Sequence, residues 1–298
     1  MRVTFQATHR EATAAINKAS ERLMEYQRQV STNKRVERPS DDPSAASAAT
    51  VERARLAGID RYTEAGNSAQ SRLTVADTVL SDLITQITYA HTTALAARGS
   101  QVTPVQRDAY AVELEALRDA MLRDVNTQFR GQYIFGGATA SVAPYTRDAA
   151  GVVSAYQAST VEVSVDVHEQ HEVRTMFNGE ALTRGTDPDD LFVVMDRAIT
   201  AARTGNGPVL DTAMADLQRA LERATTVQSR VGASLRAIED DRTRLSGAAR
   251  LAKAQISTLE DANMAEAISG MTESETAYRA ALGATAQLHN LSLMDYLK

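Results

Sequence analysis

The chain has 298 residues, of which 43% are hydrophobic and 5% aromatic, with no tryptophan and no cysteine. The lack of cysteine excludes disulfides, thiol catalysis and thiolate metal sites, and the few aromatic residues argue against a large rounded core. The net charge of -6 disfavours nucleic acid as the main partner, and no apolar run is long enough to predict membrane insertion.

The first predicted helix has apolar residues at alternating spacings of three and four, which is the pattern of a coiled coil. We call the line of residues that faces a partner helix its seam, and here it consists of Ala12, Ile16, Ala19, Leu23, Tyr26 and Val30. Residues 1–38 are locally basic, so a helix lying on a membrane surface is an alternative. The narrow seam favours pairing with another helix.

A turn and a helix cap are predicted directly after this helix. The helix-ending stretch 30–36 is followed by Arg38-Pro39-Ser40-Asp41-Asp42-Pro43. Either Asp42 or Ser40 is expected to accept the exposed backbone amides of the next helix, and Pro43 fits its first turn. Taken alone, this string indicates an ordinary N-cap.

The next two helices continue the coiled-coil pattern. The seam of the first of them runs through Ile59, Tyr62, Gly66, Ala69, Leu73, Ala76, Leu80, Leu83, Ile87, Ala90 and Ala94. A shorter seam follows at Tyr110, Leu114, Leu117 and Met121. The small residues among these positions allow two helix backbones to approach closely.

The middle of the chain changes character after Gly136-Gly137, a pair that breaks helices. Valines at 161, 163, 165 and 167 alternate with polar residues, which predicts a half-buried strand. Asn178-Gly179 indicates a turn, and residues 187–190 can start a helix that holds Leu191, Val194, Met195 and Ile199. A small β-rich domain is therefore predicted.

Candidate groups for catalysis or metal binding are few. His168-Glu169-Gln170-His171 misses the His-Glu-x-x-His zinc spacing by one residue, and residues three apart on a strand face opposite sides. The sequence lacks the phosphate-loop, nucleophile-elbow and dinucleotide fingerprints. We therefore predict no catalytic residue, no metal site, no cofactor and no enzyme activity.

The longest seam steps by four and three residues without a proline after Pro208. It consists of Leu210, Met214, Leu217, Leu221, Ala224, Gln228, Val231, Leu235, Ile238, Arg242, Leu245, Ala249, Ala252, Ile256, Leu259 and Asn263. At a rise of about 1.5 Å per residue, this helix is roughly 80 Å long and requires a partner along its length. An antiparallel bundle of three long helices, with the middle of the chain inserted, is expected.

The C-terminal helix carries a further seam and ends in an apolar cluster. Its residues are Met264, Ile268, Met271, Tyr278 and Leu282, followed by Leu288, Leu291, Leu293, Met294, Tyr296 and Leu297. The two ends of the chain resemble halves of one coiled coil, each with too little apolar surface to be stable alone. Such ends gain order when they meet neighbours. This is typical of a subunit that polymerises or docks into an assembly.

Four strings in the sequence resemble the flagellin family. They are Met1-Arg2-Val3-Thr4, the stretch from Ser31 to Pro43, Gln132-Tyr133-Ile134-Phe135-Gly136-Gly137, and Ser292-Leu293-Met294-Asp295-Tyr296-Leu297. The likeness covers residues 1–140 and 195–298, and Asn33 stands where glycine is usual in the family. Asparagine tolerates the left-handed conformation that such a helix end needs. The paired prolines and the Asp-Tyr-Leu ending are most similar to members from the hook-filament junction.

The resemblance implies a mainly α fold, with a long antiparallel coiled-coil rod formed by the N- and C-terminal regions and a small inserted β-rich middle domain. Residues 1–45 and 264–298 would form an inner assembly domain, 46–140 and 195–263 an α-helical rod domain, and 141–194 a β-rich outer domain. The implied assembly interface consists of Ile16, Leu23, Tyr26, Val30, Met271, Tyr278, Leu282, Leu293, Met294 and Leu297. The family turn and cap consist of Asn33, Arg35, Pro39, Ser40, Asp41, Asp42 and Pro43.

The function implied by the resemblance is that of an adapter ring that joins the flagellar hook to the filament outside the cell. Its partners would be further copies of the chain, the adjacent hook-side junction protein, flagellin, and an export chaperone bound to the C-terminal helix. Export would use the flagellar type III apparatus. A flagellin filament subunit, or a secreted or cytoplasmic coiled-coil scaffold without a flagellar role, are the alternatives.

Overall fold

The computed structural model describes residues 2–149, 151–169 and 171–296, and the side chains of residues 7, 9–149, 151–169 and 171–287. Within these residues the chain forms seven helices and four strands. The helices are α1 (Arg2–Thr32), α2 (Pro43–Ala97), α3 (Pro104–Val125), α4 (Gly179–Thr183), α5 (Leu191–Thr204), α6 (Gly207–Glu260) and α7 (Met264–Tyr296). The strands are β1 (Gln128–Phe129), β2 (Gln132–Tyr133), β3 (Val163–His168) and β4 (His171–Met176).

The fold divides into two compact units. One unit is Met1–Gly58 together with Ala248–Lys298, and the other is Ile59–Gly247. The first unit contains α1 and α7, whereas the second contains α3, α5 and the strands. The predicted mainly α fold is confirmed. Within the described ranges, none of the helices has the length and apolar character needed to cross a membrane.

The seam predicted for α6 contains one line of residues that is buried at every seventh position. These residues are each at most 4% exposed, and they are Leu210, Leu217, Ala224, Val231, Ile238, Leu245 and Ala252. The alternate seam residues Met214, Leu221 and Leu235 are half-buried. Arg242 is exposed, and its neighbour Asp241 is buried instead. A strict seven-residue repeat keeps one side of the helix turned toward its partners.

The seam predicted for α2 is buried at all of its positions except Tyr62, which is half-buried. A methyl group added to Gly66 on this seam would lie 3.9 Å from Ile238 of α6. The helices therefore approach closely at a residue without a side chain. Residues of α2, α3, α5 and α6 share one hydrophobic core in the second unit.

Helix α5 adds a fourth member to the bundle, which the expectation of three long helices omitted. Its N-cap residue is Asp190, and its C-cap residue is Gly205, whose φ of 70° lies in the left-handed region. Helix α5 packs against α3. The buried face of α3 also differs from the predicted seam in two ways. Arg118, outside the seam, is buried and paired with Asp196, whereas the seam residue Leu117 is only half-buried.

The middle segment forms two small antiparallel sheets, β1 with β2 and β3 with β4. Strand β3 begins at Val163, so Val161, which the prediction placed in this strand, lies outside it. His168 and His171 are register partners across β3 and β4. Partner side chains in an antiparallel pair share one face, so the expectation that these histidines face opposite sides was wrong. The reason is that the chain reverses direction between them.

Gly136 and Gly137 lie in a crossing, where the chain passes between residues 159–161 on one side and Phe177 on the other. The amide of Gly137 donates to the carbonyl of Phe177 at 3.3 Å, and the amide of Ser159 donates to the carbonyl of Gly136 at 3.2 Å. Gly137 has a φ of 53°, and a Cβ added there would lie 2.7 Å from the carbonyl oxygen of Val161. Only glycine fits this crossing, since any Cβ would overlap neighbouring backbone.

Candidate assembly interface

Helices α1 and α7 pack against each other, yet the contact buries few side chains. None of the side chains described on α1 is buried. On the described part of α7, only Ala267 and Ser274 are buried, at 2% and 7% exposure. The hydrophobic effect scales with the apolar area removed from water, so this pair gains little from its own contact. Over the side chains that the structure describes, the pairing is therefore incomplete within a single copy of the chain.

The side chains predicted to form the assembly interface supply part of the uncovered apolar surface on α1 and α7, where Met24 and Ile268, outside that set, are also exposed. Leu282 is 44% exposed. The side chains of Leu293, Met294 and Leu297 lie outside the described residues, so their role stays a prediction. The other members of the predicted set are half-buried, and they are Ile16, Leu23, Tyr26, Val30, Met271 and Tyr278.

Tyr26 of α1 packs directly against Gly270 of α7. A Cβ added to Gly270 would lie 2.5 Å from Cζ of Tyr26, so the ring rests directly on the glycine. A groove of about 650 Å³ lies beside this contact. Small and charged residues line it, among them Ala15, Ala19, Ala277, Lys18, Arg22 and Glu273. Such a mixed lining suits the side chains of another helix better than a small apolar ligand.

The connection between α1 and α2 is bound to the connection between α6 and α7. Asn33 directly follows α1 and has a φ of 57°, the left-handed conformation expected at this helix end. Its carbonyl accepts the amide of Ala262 at 3.1 Å, and the amide of Arg35 donates to the carbonyl of Glu260 at 2.7 Å. Lys34 and Asp261 form an antiparallel bridge. The C-terminal end of α1 and the N-terminal end of α7 are thus held together.

Asp42 is the residue that caps α2, whereas Ser40 lies earlier in the exposed turn that begins at Pro39. Oδ1 of Asp42 accepts the amides of Ser44 at 3.2 Å and Ala45 at 3.0 Å. Pro43 occupies the first position of the helix, where its missing N–H costs nothing. The hydrogen bond from the Ala45 amide is the main reason that the pKa of Asp42 is lowered to about 2.

Asp41 holds the turn itself together. Its Oδ2 accepts a hydrogen bond from Arg28 of α1 at 2.9 Å, and it also accepts the amides of Glu37 and Arg38 at 3.2 and 3.0 Å. The bond from Arg28 is the largest cause that lowers the pKa of Asp41 to about 2. Arg35 reaches the other acid, with 3.3 Å between its guanidinium and Asp42.

The turn is expected to stay closed from neutral pH to about pH 4 and to loosen as the pH falls toward 2. The pKa values of Asp41 and Asp42 are lowered in the folded chain, so both carboxylates stabilise it above the unfolded value of about 3.9. That stabilisation disappears as the pH falls through the folded values. Carboxyl NMR titration, with Asp41→Asn for assignment, measures the midpoints. Midpoints near 4 for both groups would contradict the geometry described.

Glu260 is the functional residue that sequence reasoning missed. Its side chain is only 4% exposed, and its Oε2 lies 3.0 Å from Nζ of Lys34 and 2.6 Å from a guanidinium nitrogen of Arg53. We call these three residues the Glu260 cluster. It joins the end of α6 to the α1–α2 turn and to α2. The partners lie 226 and 207 residues away in sequence, so local periodicity carries no signal for the contact.

The histidine pair attaches a hairpin to the helices of the second unit. Nδ1 of His171 is hydrogen-bonded to the carboxylate of Asp241 on α6. The ring of His168 stacks on Tyr62 of α2, with centroids 6.2 Å apart and an interplanar angle of 23°. Among the residues that the structure describes, no three His, Cys, Asp or Glu side chains come together to hold a metal ion. The hairpin of β3 and β4 is thereby anchored at its tip.

Two family models match the chain. The bacterial flagellin N-terminal helical region matches residues 4–140, and the bacterial flagellin C-terminal helical region matches residues 214–297. Together these ranges cover well over half of the sequence. They contain the family turn, the Gly136-Gly137 crossing and the α1 and α7 pair.

Whole-length relatives and solved structures agree with these matches. The chain is 28% identical to flagellar hook-associated protein 3 of Escherichia coli strain K12 over 100% of both chains, and 27% identical to the Salmonella typhimurium protein of the same name over 99% of both. FlgL of Xanthomonas campestris shares the fold with a TM-score of 0.63 and 17% identity, covering 68% of this chain and 99% of that one. The flagellar junction protein FlgL of Legionella pneumophila has a TM-score of 0.61 and 14% identity, covering 72% and 100%. The chain therefore belongs to the bacterial flagellin family.

Proposed function

We propose that this chain is a structural component of the bacterial flagellum, located outside the cell at the junction between hook and filament. The observation that carries the proposal is the incomplete α1 and α7 pair in a member of the flagellin family. Its half-buried apolar side chains gain contacts only when neighbouring copies cover them. The role is mechanical, and the chain joins two helical lattices.

The assembly we propose is a ring of copies in which residues 1–45 and 264–298 line the axis. Residues 46–140 and 195–263 form the rod around them, and residues 141–194 form the outer surface. The hook-side junction protein contacts one face of the ring and flagellin contacts the other. The Glu260 cluster supports this arrangement, because it binds Lys34, in the connection that follows α1, to Glu260 at the end of α6.

We further propose that the chain leaves the cell through the flagellar type III apparatus with a chaperone on its C-terminal helix. Two properties support this. The sequence has no cysteine, so no disulfide stops it from threading. The terminal helices bury little of their own surface, so they lose little when they unfold for passage.

Deletion of the gene followed by electron microscopy tests the proposed function. We expect hooks without filaments, and flagellin released into the medium, because filament subunits then have no surface on which to start. Complementation with the intact gene must restore filaments. Normal filaments in the deletion strain would exclude the junction role. Loss of flagellin from cells and medium alike would favour the alternative that this chain is itself the filament subunit.

Changing Leu293, Met294 and Leu297 together to Asp is expected to abolish assembly while the second unit stays folded. Charge in a contact that becomes apolar between copies is costly, so the number of filaments per cell should fall at least roughly tenfold. Filament counts by electron microscopy and circular dichroism of the purified chain measure the two effects. Gln287→Asp adds charge at an exposed polar position of α7 and serves as the control. Normal filaments in the triple variant would contradict the prediction.

A further inference from the structure

Two arginines share one aromatic ring at the β1–β2 hairpin. The guanidinium carbon of Arg72, on α2, lies 5.5 Å from the centroid of Phe129, and that of Arg130, at the hairpin tip, lies 5.3 Å from it. A guanidinium nitrogen of Arg72 also donates to Oε1 of Gln132 at 2.6 Å. We call Arg72, Phe129 and Arg130 the Arg-Phe-Arg cluster. It places two like charges side by side.

Neither arginine of the cluster has a counter-ion among the residues whose side chains are described. Among the described residues, no carboxylate lies within 4.0 Å of either guanidinium. Two other arginines of the second unit are each paired twice, since Arg118 contacts Asp119 and Asp196, and Arg197 contacts Asp189 and Asp216. Among the described residues, the cluster therefore has guanidinium donors that no carboxylate occupies.

Arg130 occupies a backbone position that is unfavourable for arginine. Its φ is 52° and that of Gly131 is 78°, so both central residues of this two-residue turn have positive φ. Such turns usually take Asn or Asp followed by Gly, because a Cβ is strained in the left-handed region. Strain of this kind accumulates at functional sites. A charged side chain at this tip indicates a role beyond forming the turn.

The β1–β2 hairpin is anchored in the hydrophobic core next to its charged tip. Ile134 and Phe135, directly after β2, are buried in the core of the second unit. Burial and then the charge of Arg130 lower the pKa of Arg72. A Cβ added to Gly131 would meet nothing within 4 Å, so the tip is open to solvent. An anion at this place would neutralise two charges that are already held together.

We infer that the Arg-Phe-Arg cluster binds carboxylate side chains of a second copy of this chain in the assembly, which rests on the proposed function. Arginine donors match carboxylates in geometry and charge. The chain as a whole is acidic, with a net charge of -6. It also displays exposed carboxylates that have no ion-pair partner within the described residues, such as Asp60 and Glu64, one turn apart on α2. The cluster thus links neighbouring copies through charge.

Photo-cross-linking in assembled flagella tests this docking. We would place p-benzoylphenylalanine at Gln128, which is exposed beside the cluster, in cells whose only copy of the gene carries it. We expect a cross-linked dimer of the chain whose linked peptide contains Asp or Glu. Adding Arg72→Gln and Arg130→Gln should lower the dimer yield about fivefold, because two exposed ion pairs are lost. Arg123→Gln, an exposed arginine on α3 outside the cluster, should not lower it.

The variant Arg130→Gly separates docking from folding. Glycine relieves the strained backbone, so the Tm should stay equal or rise while the dimer yield falls as in the double glutamine variant. Cross-links to flagellin or to a hook-side protein instead of a second copy would overturn the inference, as would a dimer yield unchanged by the substitutions. A lower Tm for Arg130→Gly would show a structural role and overturn it too. If the chain carrying the cross-linker complements the deletion, failure of the docking leaves the proposed function intact. If the wild-type gene itself does not restore filaments to the deletion strain, the proposed function is contradicted before the docking is tested.

Discussion

Alanine at position 137 is expected to destabilise the second unit by about 3 kcal/mol or more, which is at the upper end for a single small substitution. The left-handed backbone alone costs about 1–2 kcal/mol for a residue with a Cβ. The new methyl group would also lie 2.7 Å from the carbonyl oxygen of Val161, and this neighbour is backbone that cannot turn away. Hydrogen bonds of Gly136 and Gly137 to Ser159 and Phe177 would be displaced together.

Gly131→Ala provides the matched control for this substitution. Gly131 has a φ of 78°, but a Cβ there meets nothing within 4 Å. Its cost is therefore limited to the backbone, about 1 kcal/mol. Urea unfolding followed by circular dichroism compares both variants with the wild type. Equal losses in the two variants would show that the crossing at Gly137 is not as tight as described.

Replacing Lys34 and Arg53 together with methionine is expected to destabilise the first unit by about 2 kcal/mol. The substitutions keep the apolar stems but leave the carboxylate of Glu260, 4% exposed, without a cation. The two cations are themselves partly exposed, which places the loss below the roughly 3–5 kcal/mol of a fully buried pair that loses one partner. Both connections between helices lose their common anchor.

Hydrogen exchange of the Arg35 and Val36 amides measures this effect, because both donate to the carbonyl of Glu260. We expect exchange to accelerate by roughly 30-fold, the equivalent of about 2 kcal/mol. Adding Glu260→Gln should restore most of the protection, since the buried charge is then removed. Arg38→Met with Lys253→Met removes two exposed charges from the same unit as a control. Equal acceleration in the control would show that net charge, and not the Glu260 cluster, is responsible.

The long helices were predictable because their signal is local in sequence. Each apolar residue of α6 repeats its neighbour seven positions away, so the buried line from Leu210 to Ala252 can be seen without any tertiary information. The same holds for α2, where Tyr62 alone among the predicted seam residues departs from full burial. Helix α5 carried its own cap and seam, but nothing in the sequence placed it against α3.

The contacts that hold the candidate site together were not predictable in the same way. The α6 seam put Arg242 inside, yet Asp241 is the buried residue because His171 and Arg244 bind its carboxylate. Which of two adjacent polar residues turns inward depends on a partner 70 positions away. The contacts of the Glu260 cluster were unpredictable for the same reason, because its partners are also distant in sequence. Periodicity fixes which side of a helix is apolar, whereas buried charges follow pairings that only the folded chain brings together.

The buried line on α6 also restricts how the length of the chain can vary. Removing one residue between Val231 and Ile238 would rotate all that follows by about 100° about the helix axis and turn Ile238 and Leu245 toward water. Removing seven would rotate it by only about 20°, which side chains can absorb. Insertions and deletions in this helix should therefore survive in natural variants only as whole heptads, while the stretch between α2 and α3 is free to change by single residues.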